Sequence, residues 1–438
     1  MPPPRPARKP RGSPARGWRA LATALAALLL TVGAGGKEPG ARRLRVGTSG
    51  DYAPFSLAEE GGTPTGFDVT LARTYAKERG LEIELVRFRW PELVQDLAAG
   101  RFDVAMSGVT VAPQRSVAGR FSVPVVETGA VLLLREPQRW RAPEELDHPE
   151  LRIGVNAGGH LERVARQRFP HATLLAIPDN QAVREALLAG SLDAAVTDTL
   201  EAPRWRRGSD EAEELGESAP FTRDRKAYLV RADRPDLAAD LDAWLLERER
   251  DGSLEKLREA QLGAAGTPVA TPLGSLLAAI DERLSLMPWV GVAKRRAGLP
   301  IEAPEREAEV LDAAVAATRA AATQAKVEPP PEDAVRAVFA AQVEAAKQVQ
   351  WQILRDSGFA VEEPVPDLEK QLRPALLRIG ERIAALLVAL PQDLDDDVLR
   401  AATRDGLRTP NLSRDSSASI AEALVKLSHA RGAKPAAR

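Results

Sequence analysis

The chain has 438 residues, too many for one hydrophobic core, so two or three domains are expected. Its formal net charge of −2 argues against nucleic acid as a partner. The absence of cysteine excludes disulfides, a thiol nucleophile, cysteine metal sites and a lipoprotein-type anchor. The four histidines, His148, His160, His171 and His429, form no ligand-spaced pair, so neither a metal nor a cofactor is expected.

Residues 1–20 are rich in Arg, Lys and Pro and carry no acid. Leu21 to Val32 is an apolar run of mostly Ala and Leu, and Val32-Gly33-Ala34 offers small residues at a cleavage position. Residues 1–40 therefore read as a signal peptide and leader, which implies a periplasmic or secreted protein. The run is too short for a comfortable membrane span, so no stable span is expected after cleavage.

From residue 43 the pattern alternates between strand and helix. Leu44 to Thr48 reads as a strand, Val69 to Arg79 as a helix stopped by Gly80, and Leu81 to Val86 as a half-buried strand. Trp90 to Ala99 is helical and Val104-Ala105-Met106 is a short buried strand. The same grammar restarts at Leu151 to Val155 and continues to Thr197, and Lys226 to Val230 reads as a strand returning to the first lobe. Two α/β lobes joined by two crossovers are expected over 41–262, lobe 1 about 43–133 with 225–262, lobe 2 about 134–224. Ligands bind in the cleft of such a pair.

Residues 263–274 read as a linker, rich in Gly, Ala, Thr and Pro. Strand signals then stop. Ser275 to Arg296, Glu305 to Lys326, Glu332 to Leu354 and Leu368 to Leu390 have helical spacing, which gives an all-α domain over 275–390. Residues 391–438 read as a polar tail with weak helices and a frayed end.

In the first half, Gly50-Asp51-Tyr52-Ala53-Pro54-Phe55-Ser56, Gly66-Phe67-Asp68, Arg89-Trp90-Pro91 and Ser107-Gly108-Val109-Thr110 followed by Arg115 stand at the ends of predicted strands. Arg115 has a planar fork suited to a carboxylate, and Thr110 and the backbone near Gly108 can donate to the same oxygens. Asn156-Ala157-Gly158-Gly159 at a helix start brings amides close to an anion. These segments resemble type II periplasmic solute-binding proteins, most closely the cyclohexadienyl dehydratases of that superfamily, over about residues 43–260. The resemblance implies a substrate site of Trp90, Ser107, Gly108, Thr110, Arg115, Asn156, Gly159, Asp198 and Lys226. It makes Glu201, in Thr197-Asp198-Thr199-Leu200-Glu201, the general acid that protonates the departing hydroxyl of prephenate or arogenate. That role requires a desolvated carboxyl that stays protonated near neutral pH. The dehydratases carry Thr-Asn where this chain has His160-Leu161, and the asparagine would orient the acid. A binding-only receptor for an amino acid or for prephenate is the alternative, with Asp198 taking an ammonium group.

In the second half, Arg283 and Lys294 are eleven residues apart, close to three helical turns, and so share a face. Arg306 follows Gly298-Leu299-Pro300, and Gln342, Ala346 and Gln350 are spaced by four on a later helix. This array of cations resembles the all-helical chorismate mutases of the secreted type, over about residues 272–390. The resemblance implies that Arg283, Arg306 and Arg382 clamp two carboxylates, that Lys294 and Gln350 flank the ether oxygen, and that Glu307 takes the ring hydroxyl. Ala303 and Ala346 replace polar residues frequent in relatives. Together the two resemblances imply an exported bifunctional enzyme that needs no cofactor. It would convert chorismate to prephenate and prephenate or arogenate to phenylpyruvate or phenylalanine, with homo-oligomerisation left open.

Overall fold

A computed structural model describes residues 42–59, 62–135, 146–263, 270–356, 361, 363–392 and 394–432. The expected signal peptide and residues 264–269 of the expected linker lie outside the described residues.

The strands in chain order are β1 (Arg43–Thr48), β2 (Asp51–Tyr52), β3 (Ser56–Leu57), β4 (Glu82–Arg87), β5 (Val104–Ala105), β6 (Gly119–Phe121), β7 (Val126–Thr128) and β8 (Ala130–Leu134). They continue with β9 (Arg152–Asn156), β10 (Thr173–Ile177), β11 (Ala194–Asp198), β12 (Gly216–Glu217), β13 (Asp224–Lys226) and β14 (Leu229–Arg231). One five-stranded sheet has the order β4-β1-β5-β14-β6, and the other β10-β9-β11-β8-β12. Strands β1 and β4 run parallel from Arg43↔Glu82 to Thr48↔Arg87, and the returning β14 enters antiparallel beside β5. Each sheet thus ends several strands at one cleft edge, which positions the ligand-facing loops.

Strand β8 is apolar and buried along its whole length, and it pairs antiparallel with β11 of the second sheet. The first crossover therefore comes slightly earlier than the expected boundary at 134. An uninterrupted buried strand gives no alternation from which its sheet could be assigned. The two crossovers lie side by side as β7 and β13, with Val126 opposite Lys226.

The second half consists of the helices Pro272–Ser285, Met287–Arg296, Pro304–Ala325, Glu332–Arg355, Arg373–Ala389, Asp396–Gly406 and Arg414–Gly432. Thr271 caps the first, its Oγ1 accepting from Gly274 N at 3.1 Å, with Pro272 in the first turn. The expected single helix over 275–296 is divided at Leu286. Pro288 in the first turn of the second piece has no N–H with which to continue the ladder.

Leu276, Ile280 and Leu284 pack with Val338, Phe339, Ile383 and Leu387 in one hydrophobic cluster that is continuous with lobe 1. Lobe 2 has its own two clusters. The helical half is thus docked on lobe 1. Within its polar C-terminal stretch Leu399, Ile420, Leu424 and Leu427 are buried, and Arg431 donates to Leu387 O and Leu390 O at 2.8 and 2.9 Å; residues 433–438, the expected frayed end, lie outside the described residues.

Charged contacts concentrate where the helices meet the crossovers. Arg225 of β13 pairs with Asp281 at 2.7 Å, and Arg408 pairs with Glu127 of β7 at 2.7 Å. Asp281 Oδ1 also accepts from Arg408 N and Thr409 N at 2.7 and 2.8 Å. Farther along, Arg378 donates to Val117 O at 2.9 Å.

Candidate active sites

The first site lies between the two lobes. Trp90, Gly108, Thr110 and Arg115 from lobe 1 face Asn156, Gly159, His160 and Leu161 from lobe 2, with Lys226 from the second crossover. The cleft encloses only about 30 Å³, room for a water or two. A ring-bearing substrate therefore requires the lobes to part along the crossovers. Gly158, at φ +70°, lets lobe 2 approach Pro91 of lobe 1; a Cβ there would lie 2.6 Å from the proline ring.

Arg115 is buried, stacks over Trp90 at 5.6 Å and donates to Thr110 O at 2.9 Å. Burial, reinforced by Arg163, lowers its pKa to about 9. A guanidinium fork of this kind suits the geometry of a carboxylate. Trp90 donates Nε1–H to Asp51 at 3.2 Å, so the ring is fixed as one wall. Asn156 donates to Pro178 O at 3.4 Å, and Gly159 caps the His160–Arg168 helix.

Three expected contacts are corrected. Ser107 Oγ is engaged with Ser49, at 3.0 Å from its N and 2.9 Å from its Oγ. The Gly108 amide donates to Asp68 Oδ2 at 2.5 Å, so that N–H is already used; the glycine is needed because a Cβ would meet Tyr52 at 2.6 Å. Asp198 is fully buried and does not line the cleft; its oxygens accept from Leu200 N, Glu201 N and Tyr52 OH and pair with Lys226. An inward strand end collects local partners that sequence spacing does not display.

Glu201 is 0% exposed. Its Oε1 accepts from Asn180 Nδ2 at 2.6 Å and its Oε2 from Thr197 Oγ1 at 2.7 Å. Burial, with Asp198 nearby, raises its pKa to about 8 despite those two bonds. The carboxyl is held in one orientation and, like Asp198, does not line the cleft; Asn180, which holds it, does. Asn180 was not singled out in the sequence. It starts a helix capped by Asp179, which accepts from Gln181 N and Ala182 N. That N-terminal signal, Asp179-Asn180 before an apolar-periodic segment, was the only cue. Asn180 supplies the amide expected after the paired glycines, where Leu161 stands instead. His160 lines the cleft and donates to Asp224 at 3.0 Å, and burial lowers its pKa.

The second site lies among the helices, in a cavity of about 1300 Å³ with one wall from lobe 1. Arg283, Lys294, Arg306, Glu307 and Gln350 all line it. Arg283 is buried, its Nη1 has no hydrogen-bond partner among the described residues, and burial lowers its pKa to about 10. A buried guanidinium nitrogen left unpaired calls for an anion. Lys294 donates to Ile301 O at 2.8 Å; burial lowers its pKa, and Arg373 adds to the effect. Gln350 is buried and donates to Ala346 O at 3.1 Å, while its Oε1 has no partner among the described residues. Glu307 accepts from Ala303 N at 3.1 Å and Lys347 Nζ at 3.2 Å. Arg306 sits at the rim, its side chain 40% exposed and paired with Glu309 at 2.6 Å.

Arg382 lines the cavity as well, but its guanidinium is engaged. Its Nη2 pairs with Glu282 and its Nη1 donates to Phe121 O and Ser122 O, so its guanidinium joins the helical half to lobe 1. Arg373, nine positions earlier on the same helix, also lines the cavity; it pairs with Glu369 and, together with Lys347, adds to burial in lowering the pKa of Lys294. Arg373 and Lys347 complete the cationic end of the cavity; both were missed because helix phase relative to its neighbours is set by packing.

The fold and the cleft are those of a two-lobed binding domain. Residues 44–264 match the bacterial extracellular solute-binding proteins of family 3, and the chain belongs to that family. Residues 274–351 match chorismate mutase type II. The chain is 35% identical over 218 residues to cyclohexadienyl dehydratase of Pseudomonas aeruginosa, covering 49% of this chain and 81% of that protein. It is 29% identical over 222 residues to the L-cystine-binding protein of Escherichia coli, covering 50% and 83%. Among solved structures it is similar to an ancestral amino-acid-binding protein described as a precursor of cyclohexadienyl dehydratase. The identity is 31%, the TM-score 0.47, and the coverage 50% of this chain and 95% of that one.

Proposed function

We propose that the chain is a bifunctional enzyme: the helical half rearranges chorismate to prephenate, and the two-lobed half dehydrates and decarboxylates prephenate. The observation that carries the second step is Glu201, desolvated, doubly hydrogen-bonded and raised to about pKa 8. A binding protein has no need of a proton donor held ready at neutral pH.

In the helical half no acid, base or nucleophile is required. Arg283, Arg373 and Arg306 hold the two carboxylates in the folded conformer, and Lys294 stabilises charge building on the ether oxygen as the C–O bond breaks and the C–C bond forms. Gln350 turns its Nε2–H from Ala346 O to donate to the same oxygen. Glu307 accepts from the ring hydroxyl.

In the cleft, Arg115 takes a substrate carboxylate against the Trp90 wall. Glu201, which stands just behind the cleft lining beside Asn180, reaches the substrate as the lobes part and gives its proton to the ring hydroxyl. The bond to the ring carboxylate breaks, its electrons enter the ring, and water and carbon dioxide leave as the ring becomes aromatic. Glu201 regains a proton from solvent. Asn180 and Thr197 keep the carboxyl aimed. The family and the basic, apolar N-terminal segment support an exported protein.

The test supplies chorismate to the purified protein near neutral pH and follows prephenate and phenylpyruvate together. Wild type should yield phenylpyruvate, and Glu201→Gln should stop at prephenate. Wild type stopping at prephenate would leave the front half a receptor.

A further inference from the structure

Arg115, which faces the front cleft, stands on a short helix, Pro113–Ala118, whose far end is held by the helical half. Pro113 opens that helix, and Gly119 N donates back to Arg115 O at its close. The carbonyls beyond Arg115 have no partner within a helix that ends there. Arg378 supplies one: its Nη2 donates to Val117 O at 2.9 Å and to Ser116 O at 3.4 Å. A cationic side chain suits the bare carbonyls of a helix C-terminus.

The surroundings of Arg378 direct it to that end. Two acids act on it, Glu282 and Glu381, and both are paired with other arginines, Arg382 and Arg120. Its Nε has no hydrogen-bond partner among the described residues. The short helix also packs against Pro272–Ser285 and Leu368–Leu372, so three elements of the helical half meet it. On its cleft side Arg115 is placed by Thr110 O, at 2.9 Å, and by the Trp90 ring.

From these contacts we infer that Arg378 is a positioning residue for the front cleft: through its guanidinium the helical half sets where Arg115 stands. The inference rests on the dehydratase reading and adds to it a residue from the other half of the chain. Without Arg378 the Ser116 and Val117 carbonyls lose their donor, and the last turn of the short helix loosens. Arg115 then shifts relative to Trp90 and meets the substrate carboxylate less well. Glu201, Asn180 and Thr197 all belong to lobe 2 and keep their mutual hydrogen bonds. The defect therefore falls on KM rather than kcat.

The test measures prephenate turnover in the full chain. In Arg378→Met, KM should rise about tenfold, the loss of one hydrogen bond to a charged group, while kcat stays within about twofold. KM should rise in the order Arg378→Lys, Arg378→Gln, Arg378→Met, so the comparison survives if the last does not fold. Glu381→Ala removes a neighbouring ion pair between the halves without touching the short helix, and should leave KM unchanged. An unchanged KM in the folded Arg378 variants, or an equal rise in Glu381→Ala, overturns the inference. If wild type does not convert prephenate, the dehydratase reading fails. Hydrogen exchange over residues 113–119 then decides the positioning role alone. Faster exchange in Arg378→Gln than in wild type and Glu381→Ala supports it, and equal exchange overturns it.

Discussion

Removing the Asn180 amide tests how the acid is prepared. Asn180 Nδ2 lies 2.6 Å from Glu201 Oε1 and stabilises the charged carboxylate, yet burial still raises Glu201 to about pKa 8. With that value, about nine-tenths of the molecules carry the proton at pH 7 and about one-tenth at pH 9. Dehydratase kcat should therefore be level below pH 7 and fall toward tenfold per pH unit above 8. In Asn180→Ala the carboxylate loses a donor, so the alkaline limb should move upward. The carboxyl also loses its aim. A hydrogen bond to a charged group is worth ~1.5–3 kcal/mol, so kcat should drop about 10- to 100-fold, with KM less affected. Stopped assays of phenylpyruvate from pH 6 to about 9.5 would show both effects. A profile that rises through pH 8, or an Asn180→Ala limb displaced downward, would refute the reasoning.

Further outcomes follow from the same contacts. Glu201 has a folded pKa raised above its unfolded value, so the native state holds a proton that the unfolded chain releases as pH rises from about 4.5 to about 8. Stability is lost across that window, and Glu201→Gln should gain Tm relative to wild type more at pH 8 than at pH 5, read by thermal melts. Arg283→Met should lower mutase kcat/KM about 100-fold or more while leaving stability unchanged or higher, because an unpaired buried guanidinium is removed. Arg373→Ala should cost mutase activity about 100-fold, whereas Arg382→Ala should cost far less activity but ~3 kcal/mol of stability, since it strands Glu282 in a buried interface. Asp281→Ala should likewise lower Tm, leaving Arg225 without its carboxylate, and should spare chemistry in the helical cavity.

The division into two α/β lobes and a helical domain was legible because hydrophobic period changes from two to nearly four after residue 270. Arg283 and Lys294 both line one cavity, but not by sharing a helical face as their spacing of eleven suggested: the helix breaks at Leu286, and they stand on consecutive helices. Arg382 and Arg373 were not separable from sequence. They share a helix and both line the cavity; which of them is tied up elsewhere depends on the partners that packing brings, Glu282 and the Phe121 carbonyl for Arg382 and Glu369 for Arg373. Asn180 and Glu201 are 21 residues apart and meet only through the sheet edge. Asp198 looked available because its spacing shows a strand end. Its occupant, Lys226, arrives from the far crossover. The C-terminal helices looked frayed because their Asp, Ser and Arg content dominates, yet Ile420, Leu424 and Leu427 follow helical spacing and bury one face.

The most direct test of the account gives prephenate to the Arg283→Met protein, whose helical half should no longer make it, at neutral pH against an enzyme-free control. The account predicts phenylpyruvate formation at the wild-type rate, abolished when Glu201→Gln is added. Prephenate that binds in the cleft but is never converted would contradict it.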